Sequence, residues 1–351
     1  MKRIIAAALA LIVALSLGSA MAQEKKLNIV CTTFPSYDWM RSILGDRLEA
    51  VELTLLQDSG ADLHNFQPTA QDFIKVSSAD MLVYIGGPSD DWMEDALKEA
   101  KNKDMVIINL LKALGEDAVM GQSVEGMQEG EHAHDHGEEG ADHDHDEEEH
   151  GHDEHEHEHE HEHEHEHDGH VHSHEDEHIW LSLRNAQKLS RVMAAELAFL
   201  DTDNAETYLN NQKAYADKLD SLDKQYQEAV DAAKNKTLLF GDRFPFRYLT
   251  EDYGLTYFAA FSGCSAETEA SFETVAFLAS KADELNLPAI LVLDGSDGKI
   301  AKAVLNASKD ASRPVIMLDS MQTVDARMVL EGTTYLGVME KNLESLKEAL
   351  K

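Results

Sequence analysis

Short apolar runs alternate with amphipathic segments in the first part of the chain. The runs are rich in β-branched and aliphatic residues, which is typical of buried strands: Leu27–Phe34, Ala50–Gln57, Met81–Gly86 and Met105–Leu110. Segments with helical spacing lie between them: Asp38–Leu44, Thr69–Ser77 and Asp91–Ala100. Strands that alternate with helices predict a parallel sheet covered on both faces.

The same alternation returns in residues 235–351. The predicted strands are Thr237–Phe240, Tyr257–Phe261, Ala289–Asp294 and Val315–Asp319. The predicted helices are Phe246–Tyr253, Ser271–Leu285, Lys299–Ser308 and Thr333–Leu350. We therefore expect two lobes, the first at residues 23–202 and the second at residues 235–351.

One long amphipathic helix is predicted between the lobes, at residues 203–234. Asn204–Ala233 contains no Gly or Pro, and its apolar residues recur at three, four or seven positions. With Asp203 as N-cap, such a helix is about 45 Å long; two shorter helices with a bend are the alternative. The predicted fold is α/β, with two similar lobes, each a mainly parallel sheet covered by helices, joined by one long rigid helix.

The negative charge is concentrated in one tract. The chain carries a net charge of −37, and residues 125–177 hold 24 Asp or Glu and no Lys or Arg, which leaves −13 for the rest. The tract also holds 17 of the 19 histidines. It has almost nothing to bury, so we expect it to be disordered. Basic residues are nowhere clustered, which argues against nucleic acid as a partner.

The N-terminus resembles a secretory signal peptide. Two basic residues precede the apolar run Ile4–Leu17, and Ala20-Met21-Ala22 ends it with small residues. A membrane anchor is the alternative, but the run is shorter than the about 20 residues of a spanning helix. With residues 1–22 removed and no cysteine near that point, we expect a soluble periplasmic protein without a lipid anchor. Whether Cys31 and Cys264 form a disulfide or stay separate buried thiols is open.

Two histidines lie outside the tract. His64 stands in the polar loop Ser59–Asp72 after a predicted strand, where open α/β sheets bind ligands. His178 follows the tract and directly precedes the apolar pair Ile179-Trp180. Considered separately, His64 could be a surface residue and His178 could be the last member of the tract. Neutral imidazole is, however, a good zinc ligand.

The two histidines lie in motifs that resemble a known family. Three motifs carry the resemblance: Thr33-Phe34-Pro35, Asp62-Leu63-His64 followed by Pro68, and His178-Ile179-Trp180-Leu181. Their order is the one found in zinc- or manganese-binding solute-binding proteins of ABC importers. That cluster includes streptococcal metal-binding adhesins. The resemblance runs from Leu27 to the C-terminus, although Ser182-Leu183 replaces an Asp-Pro. It implies two lobes with little hinge closure and one metal ion in the cleft.

The resemblance implies two further ligands. The third falls in Phe240–Phe246, where one alignment places Gly241 and another Arg243 at the ligand position. Neither binds these metals, so a shift by one residue suggests Asp242; pairing of Asp242 with Arg243 or Arg247 is the alternative.

The fourth ligand falls on Asp319, with Asp294 in reserve; Cys264 and Glu267 receive no role. His64, His178, Asp242 and Asp319 would form a neutral site with Zn²⁺ and could also bind Mn²⁺.

The tract is interpreted as an accessory metal-collecting loop. Imidazoles with a pKa near 6.5 are mostly free at neutral pH, and the acids between them attract cations. The seven alternating histidines are His155, His157, His159, His161, His163, His165 and His167. The alternative is a solvated linker with incidental metal affinity.

The resulting expectation is an exported, monomeric receptor that binds one Zn²⁺ and delivers it to an ABC transporter permease. The alternatives are a manganese receptor of the same fold, a metal-buffering or adhesin-like surface protein, and a metallohydrolase. No Gly-rich phosphate loop and no His-Glu-x-x-His motif is present, so we expect no enzyme activity.

Overall fold

The computed structural model describes residues 26–128, 175–263 and 269–351. The proposed signal peptide, the seven alternating histidines, Cys264 and Glu267 lie outside these ranges. Within the part that is described, no helix combines the length and apolar character that crossing a bilayer requires.

The first lobe is a parallel sheet with strand order β2-β1-β3-β4. Its strands are β1 Leu27–Cys31, β2 Val51–Leu55, β3 Met81–Tyr84 and β4 Val106–Asn109. Its helices are α1 Phe34–Leu44, α2 Ala70–Ser77, α3 Trp92–Lys98 and the short α4 Leu110–Leu114. Parallel strands buried on both faces are nearly continuously apolar, which is why the pattern located each strand to within a few residues.

The second lobe repeats this order as β6-β5-β7-β8, again all parallel. Its strands are β5 Thr237–Phe244, β6 Thr256–Ser262, β7 Ile290–Leu293 and β8 Val315–Leu318. Its helices are α7 Arg247–Tyr253, α8 Phe272–Glu284, α9 Lys299–Ala307, α10 Ala326–Leu330 and α11 Tyr335–Ala349. β5 is longer than predicted because a register shift between Phe240 and Arg243 lets the strand continue past a bulge.

Two long helices lie between the two sheets in the chain. Helix α5, Leu183–Leu200, was not predicted; it begins at Ser182, whose side chain accepts a hydrogen bond from the Asn185 N–H. Helix α6, Ala205–Ala232, is one continuous helix of 28 residues, about 42 Å long. The N-cap assignment was wrong: α6 starts after Asn204, and Asp203 lies in the preceding 3₁₀ turn.

The lobes share one apolar core, which contains residues of both sheets and of α6. Tyr335 at the start of α11 joins them: its hydroxyl donates to the Trp180 carbonyl at 2.6 Å, and its N–H donates to the Asp38 carboxylate at 2.8 Å. The Trp180 indole donates to the Ser320 carbonyl at 2.8 Å. These buried bonds fix the cleft side of one lobe against the other.

Candidate metal centre

His64 lies at the carboxyl edge of the first sheet, in a 3₁₀ turn after β2. The turn spans Leu63–Asn65, and the Asp62 carboxylate accepts the His64 N–H at 3.0 Å. Leu63 is buried in the core and anchors the turn. A short turn with a buried anchor and a side-chain cap holds the imidazole in the cleft.

His178 is fully buried, with 0% of its surface exposed, at the point where the chain returns from the tract. The buried Ile179 and Trp180 follow it directly. One oxygen of Asp176, Oδ1, accepts both the His178 N–H at 2.9 Å and its Nδ1 at 2.8 Å. Nδ1 therefore faces the carboxylate, and Nε2 faces the cleft.

The two imidazoles meet although they are 114 residues apart: the Nε2 atoms of His64 and His178 lie 3.2 Å from each other. Zinc–nitrogen bonds of about 2.0–2.1 Å in a tetrahedral site place two ligand nitrogens about 3.3–3.4 Å apart. The pair therefore already has nearly the separation that a shared zinc ion requires.

The other nitrogen of His64 is held by a hydroxyl. His64 Nδ1 lies 2.8 Å from Ser89 Oγ, and Ser89 Oγ donates to Glu177 Oε2 at 2.8 Å. Burial, followed by the neighbouring His178, lowers the pKa of His64 to about 3. His64 is therefore neutral at pH 7, the form that binds metal. Burial raises the pKa of the Glu177 carboxyl, and the hydrogen bonds from Ser89 oppose that shift.

Gln322 from the second lobe also reaches this point, and the sequence motifs did not predict it. With the amide oriented by its hydrogen bonds, the nitrogen donates to the two oxygens of Asp62 at 2.8 and 3.2 Å, and the oxygen accepts from His178 Nε2 at 2.9 Å. An amide is an uncommon zinc ligand, so residue type gave no signal. The available signal was its position just after β8, at the carboxyl edge of the sheet.

The structure distinguishes the two alignments of the third ligand position. A Cβ on Gly241 would lie 2.6 Å from the Ala301 Cα, so position 241 faces α9. Arg243, beyond the bulge, instead reaches across to Asp62, with 2.8 Å between its Nη2 and Oδ2. Arg243, like Gln322, thus reaches from the second lobe to the loop of His64.

Asp242 and Asp319 are held elsewhere. The Asp242 carboxylate accepts the N–H groups of Arg243 at 2.8 Å and Leu293 at 3.3 Å. Asp319 accepts the Met321 N–H at 2.8 Å. Burial and then the charge of Asp294 raise the pKa of Asp319 to about 6.

No three His, Cys, Asp or Glu side chains of the described residues are grouped so that they could hold a metal ion. The structure therefore brings His64 and His178 together but does not add Asp242 or Asp319, whose roles stay predictions. The carboxylate of the reserve candidate Asp294 accepts three hydrogen bonds. The Ser320 N–H and hydroxyl donate to it at 2.6 and 2.7 Å, and the Thr323 hydroxyl donates at 2.6 Å.

The cysteines are described only in part. Cys31 is a buried free thiol in β1, and burial raises its pKa. Gly263 packs against the site, since a Cβ there would lie 3.0 Å from His178 Cε1. Cys264 follows it immediately but lies outside the described residues.

Comparison with known proteins identifies related sequences. The model of the family "zinc-uptake complex component A, periplasmic" matches residues 29–349. The zinc-binding lipoprotein AdcA of Streptococcus pneumoniae is 29% identical over 325 residues, covering 93% of this chain and 56% of AdcA. The high-affinity zinc uptake system protein ZnuA of Bacillus subtilis is 29% identical over 333 residues, covering 95% of this chain and 90% of ZnuA. The chain thus spans little more than half the length of AdcA.

Solved structures share the fold. The Zn(II)-bound ZnuA-like domain of Streptococcus pneumoniae AdcA matches with a TM-score of 0.65 and 25% identity, covering 93% of this chain and 99% of that domain. The metal-dependent lipoprotein YcdH of Bacillus subtilis matches with a TM-score of 0.67 and 25% identity, with the same coverage. These matches confirm the predicted two-lobe α/β fold. A zinc-uptake component is a binding protein of a transport system and not an enzyme. The chain belongs to the zinc-uptake complex component A family, as its motifs indicated.

Proposed function

We propose that this protein binds one Zn²⁺ between its lobes through His64 and His178 and delivers it to the permease of an ABC importer. The observation that supports it best is the pair of Nε2 atoms 3.2 Å apart, each on a ring whose Nδ1 contacts an acceptor. Both rings direct Nε2 to the same point, where one cation can bind to both nitrogens.

The charges around the pair suit a divalent ion. Asp62, Asp176 and Glu177 are carboxylates that touch a histidine or its hydrogen-bond partner, and Arg243 pairs with the first of them. The negative charge that they leave near the pair suits one Zn²⁺, and Asp242 and Asp319 stay predicted ligands. Imidazole ligands favour zinc over manganese, which prefers oxygen.

The tract remains a proposed metal-collecting segment, and its anchored ends support a position near the cleft. On one side the Gln128 N–H donates to the Ala260 carbonyl in β6 at 2.9 Å. On the other side the Asp176 N–H donates to the Val119 carbonyl at 2.8 Å, two residues before His178. The described ends of the tract thus contact both lobes, and one end lies two residues before His178.

The test is a calorimetric titration of Zn²⁺ and Mn²⁺. The protein used has all seventeen tract histidines replaced by Asn, because removing residues 126–175 would also remove the packed ends of the tract. One tight zinc site, weak for manganese and absent after His64→Ala or His178→Ala, supports the receptor. Weak multiple binding that disappears with the tract histidines would support a metal buffer instead. Ester or phosphate hydrolysis by the zinc-loaded protein would support a metallohydrolase.

The finer predictions on location and partners are part of the same proposal. The family is described as periplasmic, which agrees with export. AdcA is named a lipoprotein, whereas this chain has cysteines only at positions 31 and 264, so we propose export without a lipid anchor. We also propose a monomeric receptor with a membrane permease and a metal ion as partners, and no nucleic acid.

A further inference from the structure

We infer that Glu177, acting through Ser89, is a positioning residue for His64, a role that rests on the proposed zinc site. Its carboxylate accepts two hydrogen bonds from Ser89, from the N–H at 2.7 Å and from the hydroxyl at 2.8 Å. The same oxygen that accepts the hydroxyl, Oε2, lies 3.4 Å from His64 Nδ1. Glu177 therefore joins the end of the tract to a ligand that is 113 residues earlier in the chain.

The loop after β3 is shaped around this carboxylate. Gly87 has a φ of +81°, and a Cβ there would lie 2.9 Å from both the Cγ and Oε1 of Glu177. On the other side of the loop, Asp90 accepts the Gly86 N–H at 2.9 Å. Only 2% of Glu177 is exposed, and a buried carboxylate is costly unless its bonds are satisfied. A glycine that makes room for it and two donors aimed at it form a built cradle.

The direction of the hydrogen bonds fixes the tautomer of His64. The Ser89 hydroxyl donates its only hydrogen to Glu177 Oε2, so it cannot also donate to His64. The hydroxyl oxygen then accepts from His64 Nδ1–H, which leaves Nε2 unprotonated and facing His178. In Glu177→Gln the amide can donate to Ser89 Oγ, and the hydroxyl is then free to donate to Nδ1. That arrangement protonates Nε2, the nitrogen that must bind zinc.

The last two acids before His178 thus have separate tasks. Asp176 contacts His178 directly, and Glu177 acts on His64 through one hydroxyl. Both are buried, whereas Glu175, which precedes them, is exposed. The acidic tract therefore ends in two residues that orient the site.

The experiment compares Glu177→Gln, Ser89→Ala and Ser89→Thr with wild type, all in the full chain. The tautomer of His64 is determined without metal by long-range ¹H–¹⁵N correlation of labelled histidine, with His64→Ala used for assignment. Zinc affinity of the tightest site is measured by competition with a chelator that outcompetes the tract. Glu175→Gln, the same substitution on an exposed side chain, is the matched control.

We expect Glu177→Gln to populate the Nε2–H form of His64, and both Glu177→Gln and Ser89→Ala to weaken zinc binding by about 10–100-fold, as is typical when an outer partner of a ligand is removed. Ser89→Thr, which keeps the hydroxyl, and Glu175→Gln should behave as wild type. If Glu177→Gln does not fold, the comparison of Ser89→Ala with Ser89→Thr decides the question.

Two results would overturn the inference. One is wild-type zinc affinity in both Glu177→Gln and Ser89→Ala. The other is weaker binding in Glu177→Gln with an unchanged tautomer of His64, which indicates a merely structural role. In either case the loss of the tight site in His64→Ala would leave the proposed function intact. If His64→Ala itself keeps the tight site, the proposed function fails instead.

Discussion

Replacing Asp176 with Asn tests whether an outer carboxylate sets the strength of the zinc site. The substitution keeps the size of the side chain and removes its charge. Asp176 is 8% exposed, and its Oδ1 holds both the backbone N–H and Nδ1 of the buried His178. An Asn oxygen can replace these contacts, so the fold should be kept while the charge is lost.

The expected loss of zinc affinity follows from the difference in strength between a charged and a neutral hydrogen bond. A hydrogen bond to a charged group contributes about 1.5–3 kcal/mol and a neutral one about 0.5–1.5 kcal/mol. The charged form of the Nδ1 bond supports the positive charge that zinc places on the ring, so its loss should cost roughly 1.4 kcal/mol of binding free energy. That corresponds to about tenfold weaker binding.

The assay is zinc titration against a competing chelator, in protein whose tract histidines are Asn. The control is Asp117→Asn, which removes an ion pair of 2.7 Å with Lys188 at a side chain that is 63% exposed. The control should bind as wild type. Equal affinities for Asp176→Asn and wild type would refute the outer-carboxylate reasoning, and an equal loss in both variants would show that only total charge matters.

Three further outcomes are expected. Lowering the pH from about 7 to about 5.5 should release zinc from the tract before it releases zinc from the cleft. The tract imidazoles have a pKa near 6.5, whereas the pKa of His64 is lowered to about 3. Simultaneous release in an equilibrium titration would contradict this. Burial raises the pKa of Asp252 to about 6, so the folded state binds the extra proton and the free energy of unfolding should fall as pH rises from about 4 to about 6. Urea denaturation should show that fall reduced in Asp252→Asn, and an equal fall in both proteins would be evidence against it. Gly241→Ala should lower the unfolding free energy by about 1–3 kcal/mol, since its Cβ would meet the Ala301 backbone; an unchanged urea midpoint would argue against this tight contact.

The two-lobe α/β fold, the long linking helix and the two histidines of the site were all predictable from local patterns in the chain. Strands and helices follow from local apolar periodicity, so β1 to β8 lie where the runs predicted them, within a few residues. The apolar residues of α5 also recur at helical spacing, so this helix was within reach of the same reasoning although it was not assigned. His64 and His178 were recognisable because each stands in a short motif that does not depend on distant residues.

The assembly of the site, by contrast, depends on how distant parts of the chain pack together. The bulge in β5 turns position 241 toward α9 and Arg243 toward Asp62, and alternation along a strand cannot place such a bulge. The contacts of Glu177 with Ser89, and of Gln322 with Asp62, join loops that are far apart in the chain. Their geometry depends on how the two lobes pack on one shared core, because distances between sheet edges are set by packing and not by local residue preference.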